Sequence, residues 1–206
     1  MSEHGIILRS EQVLAFLNGA TQMRVPMKPQ PRYAEVAPCK GWHESRGVWR
    51  NTNLDPGGRW KSPFGVPGDT VWFKESIRAN LHLGKPVYRA SIPDEIARGF
   101  VWRSPTSMPR GYARIVRTVK RVWVERVYDI IPGDCIASIG NIPGSSDYAG
   151  DPDEHPWDYY NRCFASPFVK YWDKTWGNPK LPLDQEDPML YESGPCVWCC
   201  EFEEQP

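Results

Sequence analysis

The sequence has neither an excess of charge nor a long apolar run, and both gaps narrow what it can do. Its 25 Lys and Arg residues are balanced by 25 Asp and Glu. No global field therefore advertises a polyanionic partner, and any such face must come from local segregation of charge. No window approaches the ~18 apolar residues of a membrane span. The opening "MSEHGIILRS" has no basic stretch leading into an apolar core, so no signal peptide and no membrane partner are expected, and the protein reads as cytoplasmic. Histidine is scarce: His4, His43, His82 and His155 fall in separate segments, none beside a Ser or Cys that it could activate. There is no Walker-type glycine loop, no GxGxxG, no HExxH and no GxSxG. Standard hydrolase and nucleotide-fold signatures are therefore missing, and no cofactor is implied.

Cysteine is present but does not form a framework. Cys39, Cys135, Cys163, Cys196, Cys199 and Cys200 are read as reduced thiols in the absence of a secretion signal. Cys196-Val-Trp-Cys199 has metal spacing, yet the tract alternates like a strand and no second paired motif accompanies it. A buried Cys-rich strand is the expectation, with no metal.

What the chain does have is turns, rings and local charge. Its 206 residues include 21 prolines, 17 glycines, 10 Trp and 9 Tyr. That many rings exceeds what a core of this size needs, so some are expected to line a groove. Between Arg110 and Tyr128 six basic residues, Arg114 among them, stand against a single acid, Glu125. From Asp147 to Trp157 the balance is acidic.

Periodicity supplies the elements. "SEQVLAFLNGA" reads as a helix with Ser10 as N-cap and Gly19 as its stop. The segment 32–61 is a long Trp-rich insertion with little period, and 143–157 is an acidic loop. "SPFGVPGDTVWFKES" is a Pro-Gly-Asp turn feeding a strand. On it Val71, Phe73 and Glu75 share one face, and Trp72 and Lys74 the other. A carboxylate steered to the core side needs a partner, because a buried unpaired charge costs several kcal/mol. Residues 113–127 form the longest strand candidate, long enough to require a bulge or a division in two. "HPWDYYNRCFASPFVKYWDKTWG" reads as a helix that Pro167 should kink or split. "PCVWCCEFE" closes the set as a strand. Short mixed strands with few helices and no βαβ rhythm predict one α+β domain over 1–206, a small closed barrel with helices at its rim.

In this order the pieces resemble the phage and prophage proteins of the ASCH family, whose fold is similar to the PUA RNA-binding barrel. The resemblance rests on the helix ending at Gly19, "TQMRVPMKPQP", the strand after Pro67-Gly68-Asp69, "WRSPTSMPRGYARI", "RVWVERVYDI" and "VWCCEFE". It implies a cleft for RNA or a modified nucleotide, set by a G-x-K-x-x-T-x-R signature and a strand Glu. Gly19, Arg24 and Glu75 match. The Lys is missing, Met23 fills the Thr slot, and Thr21 is the substitute two residues away. Small relatives are taken to hydrolyse an acyl amide on modified cytidine. Loss of a cationic oxyanion donor would cost about 100- to 1000-fold in rate, so that chemistry is not expected to survive intact.

Three functions follow. The first is a module binding RNA, single-stranded nucleic acid or a nucleotide in a cleft shared by Arg24 and Glu75. Lys74, Trp102, Arg103, Arg110 and Arg114 would add phosphate and stacking contacts. The second is a hydrolase or nuclease using Glu75 with Thr21. The third is a phage protein, in the host cytoplasm, that docks a host protein through its acidic loop and Trp-rich insertion.

Overall fold

The computed structural model describes residues 1–31, 41–45, 47–51, 57–79, 85–130, 134, 137–138, 166–177 and 194–203. The acidic loop 143–157 lies outside them, as do residues 32–40, 46 and 52–56 of the Trp-rich insertion.

The Pro-Gly-Asp turn does what its residues require. Gly68 takes φ +88°, a left-handed conformation that a residue with a Cβ resists, and the chain enters strand β5, Thr70–Lys74. Val71 and Phe73 are buried at 0% and 2% exposure, Glu75 continues that face at 3%, and Trp72 and Lys74 are half-buried on the other. The parity predicted from sequence holds.

β5 is one member of a five-stranded mixed sheet, ordered β1-β5-β8-β9-β2. β1 (Glu3–Ile7) runs parallel to β5. Antiparallel pairings join β5 to β8 (Val116–Arg126), β8 to β9 (Cys196–Phe202), and β9 to β2 (Gln22–Pro26). β8 spends residues 116–118 on β5 and the rest on β9, with a register shift between Val119 and Arg121. The bulge anticipated for so long a strand is there, and it lets one strand serve two neighbours. Two small hairpins, β3–β4 (His43–Ser45, Val48–Arg50) and β6–β7 (Ile77–Ala79, Pro86–Tyr88), lie outside the main sheet. With helices α1 (Ser10–Leu17), α2 (Asp94–Ala97) and α3 (Ser166–Trp176), the architecture is α+β. The sheet is not a closed barrel. Among the described residues β1 and β2 are its two edges, each paired on one side only, with β5 and β9 respectively.

One detail of the helices departs from the sequence reading. α1 is capped at Arg9 rather than Ser10, and the buried Gln12 accepts the Arg9 backbone N–H at 3.0 Å, the reciprocal half of a capping box. Pro167 is the second residue of the described stretch of α3, and residues 155–165, over which the kink or split is expected, lie outside the described residues.

The core forms around β9. Phe202 on one face meets Phe16 of α1, Phe64 and Phe73, with centroids 5.6–6.2 Å apart. Phe16 and Phe73 stack at 4.6 Å. Cys196, Trp198 and Cys200 belong to this cluster, while Val197 and Cys199 face Phe168 and Trp172 of α3. β9 is thus covered on both faces. The insertion contributes to packing too: Trp42 and Trp49 approach Trp198 at 6.4 and 5.6 Å, and Trp60 is 7% exposed. Trp42 and Trp49 are half-buried against the core, and Trp60 is buried in it.

Candidate functional site

Glu75 has a partner, and it is Arg114. Arg114 donates from Nε to one carboxylate oxygen at 2.7 Å and from Nη2 to the other at 2.8 Å, the two-pronged geometry that suits a planar guanidinium. A third donor, Nη1, reaches Ser91 Oγ at 2.8 Å, and the guanidinium lies 4.3 Å from the Tyr88 ring centroid. The Glu75 backbone N–H points at Met108 Sδ, 3.2 Å away. The carboxylate is therefore fixed in position and direction. Burial pushes the Tyr88 phenol up, with Arg114 opposing and Glu75 reinforcing the shift.

In front of Glu75 opens a cavity of about 370 Å³, walled by Ile7 at the end of β1, Arg9 and Ser10 at the start of α1, Arg89 and Pro105. That size lies within the roughly 300–1,000 Å³ of ordinary ligand pockets. Its polar equipment is mixed. Glu75 offers carboxylate lone pairs beyond the two that Arg114 occupies. The first turn of α1 presents backbone N–H groups with no partner inside the helix. Arg9 donates to the Lys174 carbonyl at 3.2 Å, and Arg89 pairs with Asp94 at 2.5 Å. Glu11 on the same wall is matched by Lys174 at 2.9 Å.

Arg24 is not part of this cleft. It points from β2 into a separate buried cluster, its side chain 1% exposed. Nε donates to Glu125 at 2.9 Å, Nη1 to Gln22 at 2.9 Å and to Ser138 Oγ, and Nη2 lies 3.3 Å from Asp134. Cys199 Sγ donates to the same Glu125 oxygen at 3.2 Å. Burial pushes the Cys199 thiol well up, and Glu125 adds to this against the pull of Arg24. The expected convergence of Arg24 and Glu75 is thus not met. Their partners lie in different places: Glu125 stands near the end of β8 where it pairs with β9, whereas Arg114 precedes the start of β8 beside β5.

The other sequence candidates divide between these places. Thr21 bonds through its backbone to Ala137 and Phe202, and no described contact joins it to Glu75. Trp102 lies beside the cleft: its Nε1 donates to the Ala97 carbonyl at 2.9 Å, and Arg89 sits 5.9 Å from its ring. Arg103 is exposed and bonds through its backbone to Ile77. Lys74 and Arg110 belong to the outer face of β5, both over the Trp72 ring at 4.8 and 5.7 Å, with Arg110 also 3.2 Å from Glu3. The three described cysteines do not converge, since Cys196 and Cys200 face one cluster and Cys199 the other. Among the described residues no His, Cys, Asp and Glu group is placed to hold a metal, and no helix is long and apolar enough to cross a membrane.

Sequence reasoning missed Arg89, Arg78 and Phe100. A usable signal did exist: from Arg78 to Arg114 there are seven Arg or Lys and two acids, the same net excess of five as in the run from Arg110 to Tyr128. Compared with protein-family models, with curated proteins and with solved structures, the chain matches none.

Proposed function

We propose that the protein binds an unpaired nucleotide of RNA or single-stranded DNA in the Glu75 cleft, as a PUA-like module of the ASCH type. The observation that carries this reading is the buried Glu75 carboxylate, held by two Arg114 bonds at the wall of a cavity that Arg89 also lines. A carboxylate fixed in this way is an acceptor for base amino and imino N–H groups, as in the pairing of Glu with cytosine N4. Arg9, Arg89 and the first turn of α1 supply the complementary donors for a phosphate. The resemblance to the ASCH family implies the same role for Glu75, with a nucleotide against it. Arg24 drops out of the binding role and becomes a structural anchor.

The test is a fluorescence-anisotropy titration of short labelled RNA and DNA single strands against the wild type and Arg89→Ala. Binding that weakens steeply with salt, and whose salt slope falls by about one in the variant, supports a phosphate contact at Arg89. No binding at low salt removes the reading.

A further inference from the structure

We infer that a second binding site, a ledge formed by Arg78, Phe100 and Trp102, stacks the two bases next to the one held in the cleft, so that the ligand is a single strand and not a free nucleotide. The inference rests on the cleft reading and extends it.

Three observations carry it. First, residues 96–101 present apolar side chains to solvent where nothing in the fold needs them: Ile96 is 57% exposed, Phe100 41% and Val101 89%. Scattered exposed apolar residues are ordinary, but these lie within six positions of each other. Second, the rings already carry cations. Arg78 lies 4.5 Å from the Phe100 centroid and Arg89 5.9 Å from that of Trp102. An Arg beside an aromatic stacking surface is the pairing that single-strand binders use, the ring taking the base and the guanidinium the phosphate. Third, the ledge is continuous with the cleft, because Arg89 both lines the cavity and stands over Trp102.

Geometry then sets the count of bases. The Phe100 and Trp102 rings meet edge to face, 84° apart with centroids separated by 6.1 Å. Rings at that angle cannot both lie parallel to one base, so each has to take its own. Together with the base at Glu75, the ledge extends the footprint to about three nucleotides, small beside the ~4–16 of an OB-type groove. The charge of the surroundings favours a polyanion over an apolar peptide: seven basic residues face two acids between 78 and 114, and one of those acids, Asp94, is already paired with Arg89. A double helix does not fit, since its bases are stacked on each other and their faces are closed.

The experiment compares a mononucleotide, single strands of two to eight nucleotides in RNA and DNA, and a duplex, using wild type and Phe100→Ala. Phe100 is exposed enough that its loss leaves the fold intact, and a circular-dichroism melt checks this. Affinity that climbs with length to about three or four nucleotides, and falls about 5- to 100-fold in Phe100→Ala for oligomers but not for the mononucleotide, is the expected result. Oligomers that bind no better than the mononucleotide, with Phe100→Ala silent, overturn the ledge and leave the cleft standing. A duplex that binds as well as a single strand also overturns it. Binding by neither mononucleotide nor oligomer defeats both readings.

Discussion

Glu75 and Arg114 form a two-bond ion pair, 2.7 and 2.8 Å, in which the carboxylate is 4% exposed and the guanidinium 23%. Removing one partner strands the other. Arg114→Ala is expected to cost about 3 kcal/mol, the lower end for breaking a buried pair because Arg114 reaches solvent. The double variant Glu75→Gln, Arg114→Met should recover much of that loss. Urea unfolding of wild type, Glu75→Gln, Arg114→Met and their double variant closes the cycle, and single losses that simply add in the double variant would contradict a coupled pair.

Arg24 should separate stability from binding. With Glu125, Gln22, Ser138 and Asp134 around it, Arg24→Ala leaves buried acceptors unmatched and is expected to destabilise by about 3–5 kcal/mol. The milder Arg24→Lys keeps the charge, loses the fork, and should still fold at low temperature. Its affinity for single strands, measured in the folded state, should equal that of wild type, whereas Arg89→Ala should not. A selective loss of affinity in Arg24→Lys would return this residue to the binding site.

Asp69 ties the start of β1 to the Pro-Gly-Asp turn. It accepts the Ser2 N–H at 2.7 Å, the Val66 N–H at 3.2 Å and His4 Nε2 at 3.1 Å. The Ser2 bond chiefly, against the opposing effect of burial and with His4 and Val66 assisting, holds the carboxyl below the usual range. A depressed folded pKa means the contribution is complete above the unfolded value, about pH 3.9, and disappears as pH falls through the folded one. Asp69→Asn should therefore lower the melting temperature near pH 7 by the equivalent of about 1 kcal/mol. The two proteins should converge as the pH falls through the depressed folded pKa; a difference that persists once the carboxyl is protonated would refute the linkage.

The thiols of β9 should be inert. Cys196, Cys199 and Cys200 are buried, and burial pushes the Cys199 and Cys200 thiols up. Iodoacetamide at pH 8 is expected to leave the peptide containing them unmodified in the native protein and to label it fully in denaturant, as read by mass spectrometry. Rapid native labelling would contradict the two-sided covering of the strand.

Much of the scaffold was legible because its periods are clean. The alternation of Val71, Phe73 and Glu75, the long strand with its bulge and the stop at Gly19 are local patterns that the fold keeps. Partnership across the sheet was not legible. Arg24 and Glu75 looked like one site because both precede the basic strand in a familiar order, yet that strand is long enough for its two ends to serve two places. Glu125, the single acid in the basic run, was the clue to where Arg24 goes. On the strand it shares the alternation of Trp123, and both side chains meet Arg24. The ledge was hidden for the opposite reason: residues 94–107 are short helical turns and loops whose rings follow no period.

The pairing of β2 with β9 has a consequence for biosynthesis. Met23 and Cys200 sit side by side in the sheet although about 175 residues of chain separate them. While a ribosome is making the protein, β2 emerges early with its inner neighbour still untranslated, and β8 likewise lacks one flank. The nascent chain must hold these apolar segments unpaired until the Cys-Val-Trp-Cys-Cys tract leaves the exit tunnel, and only then can the sheet assemble as a unit.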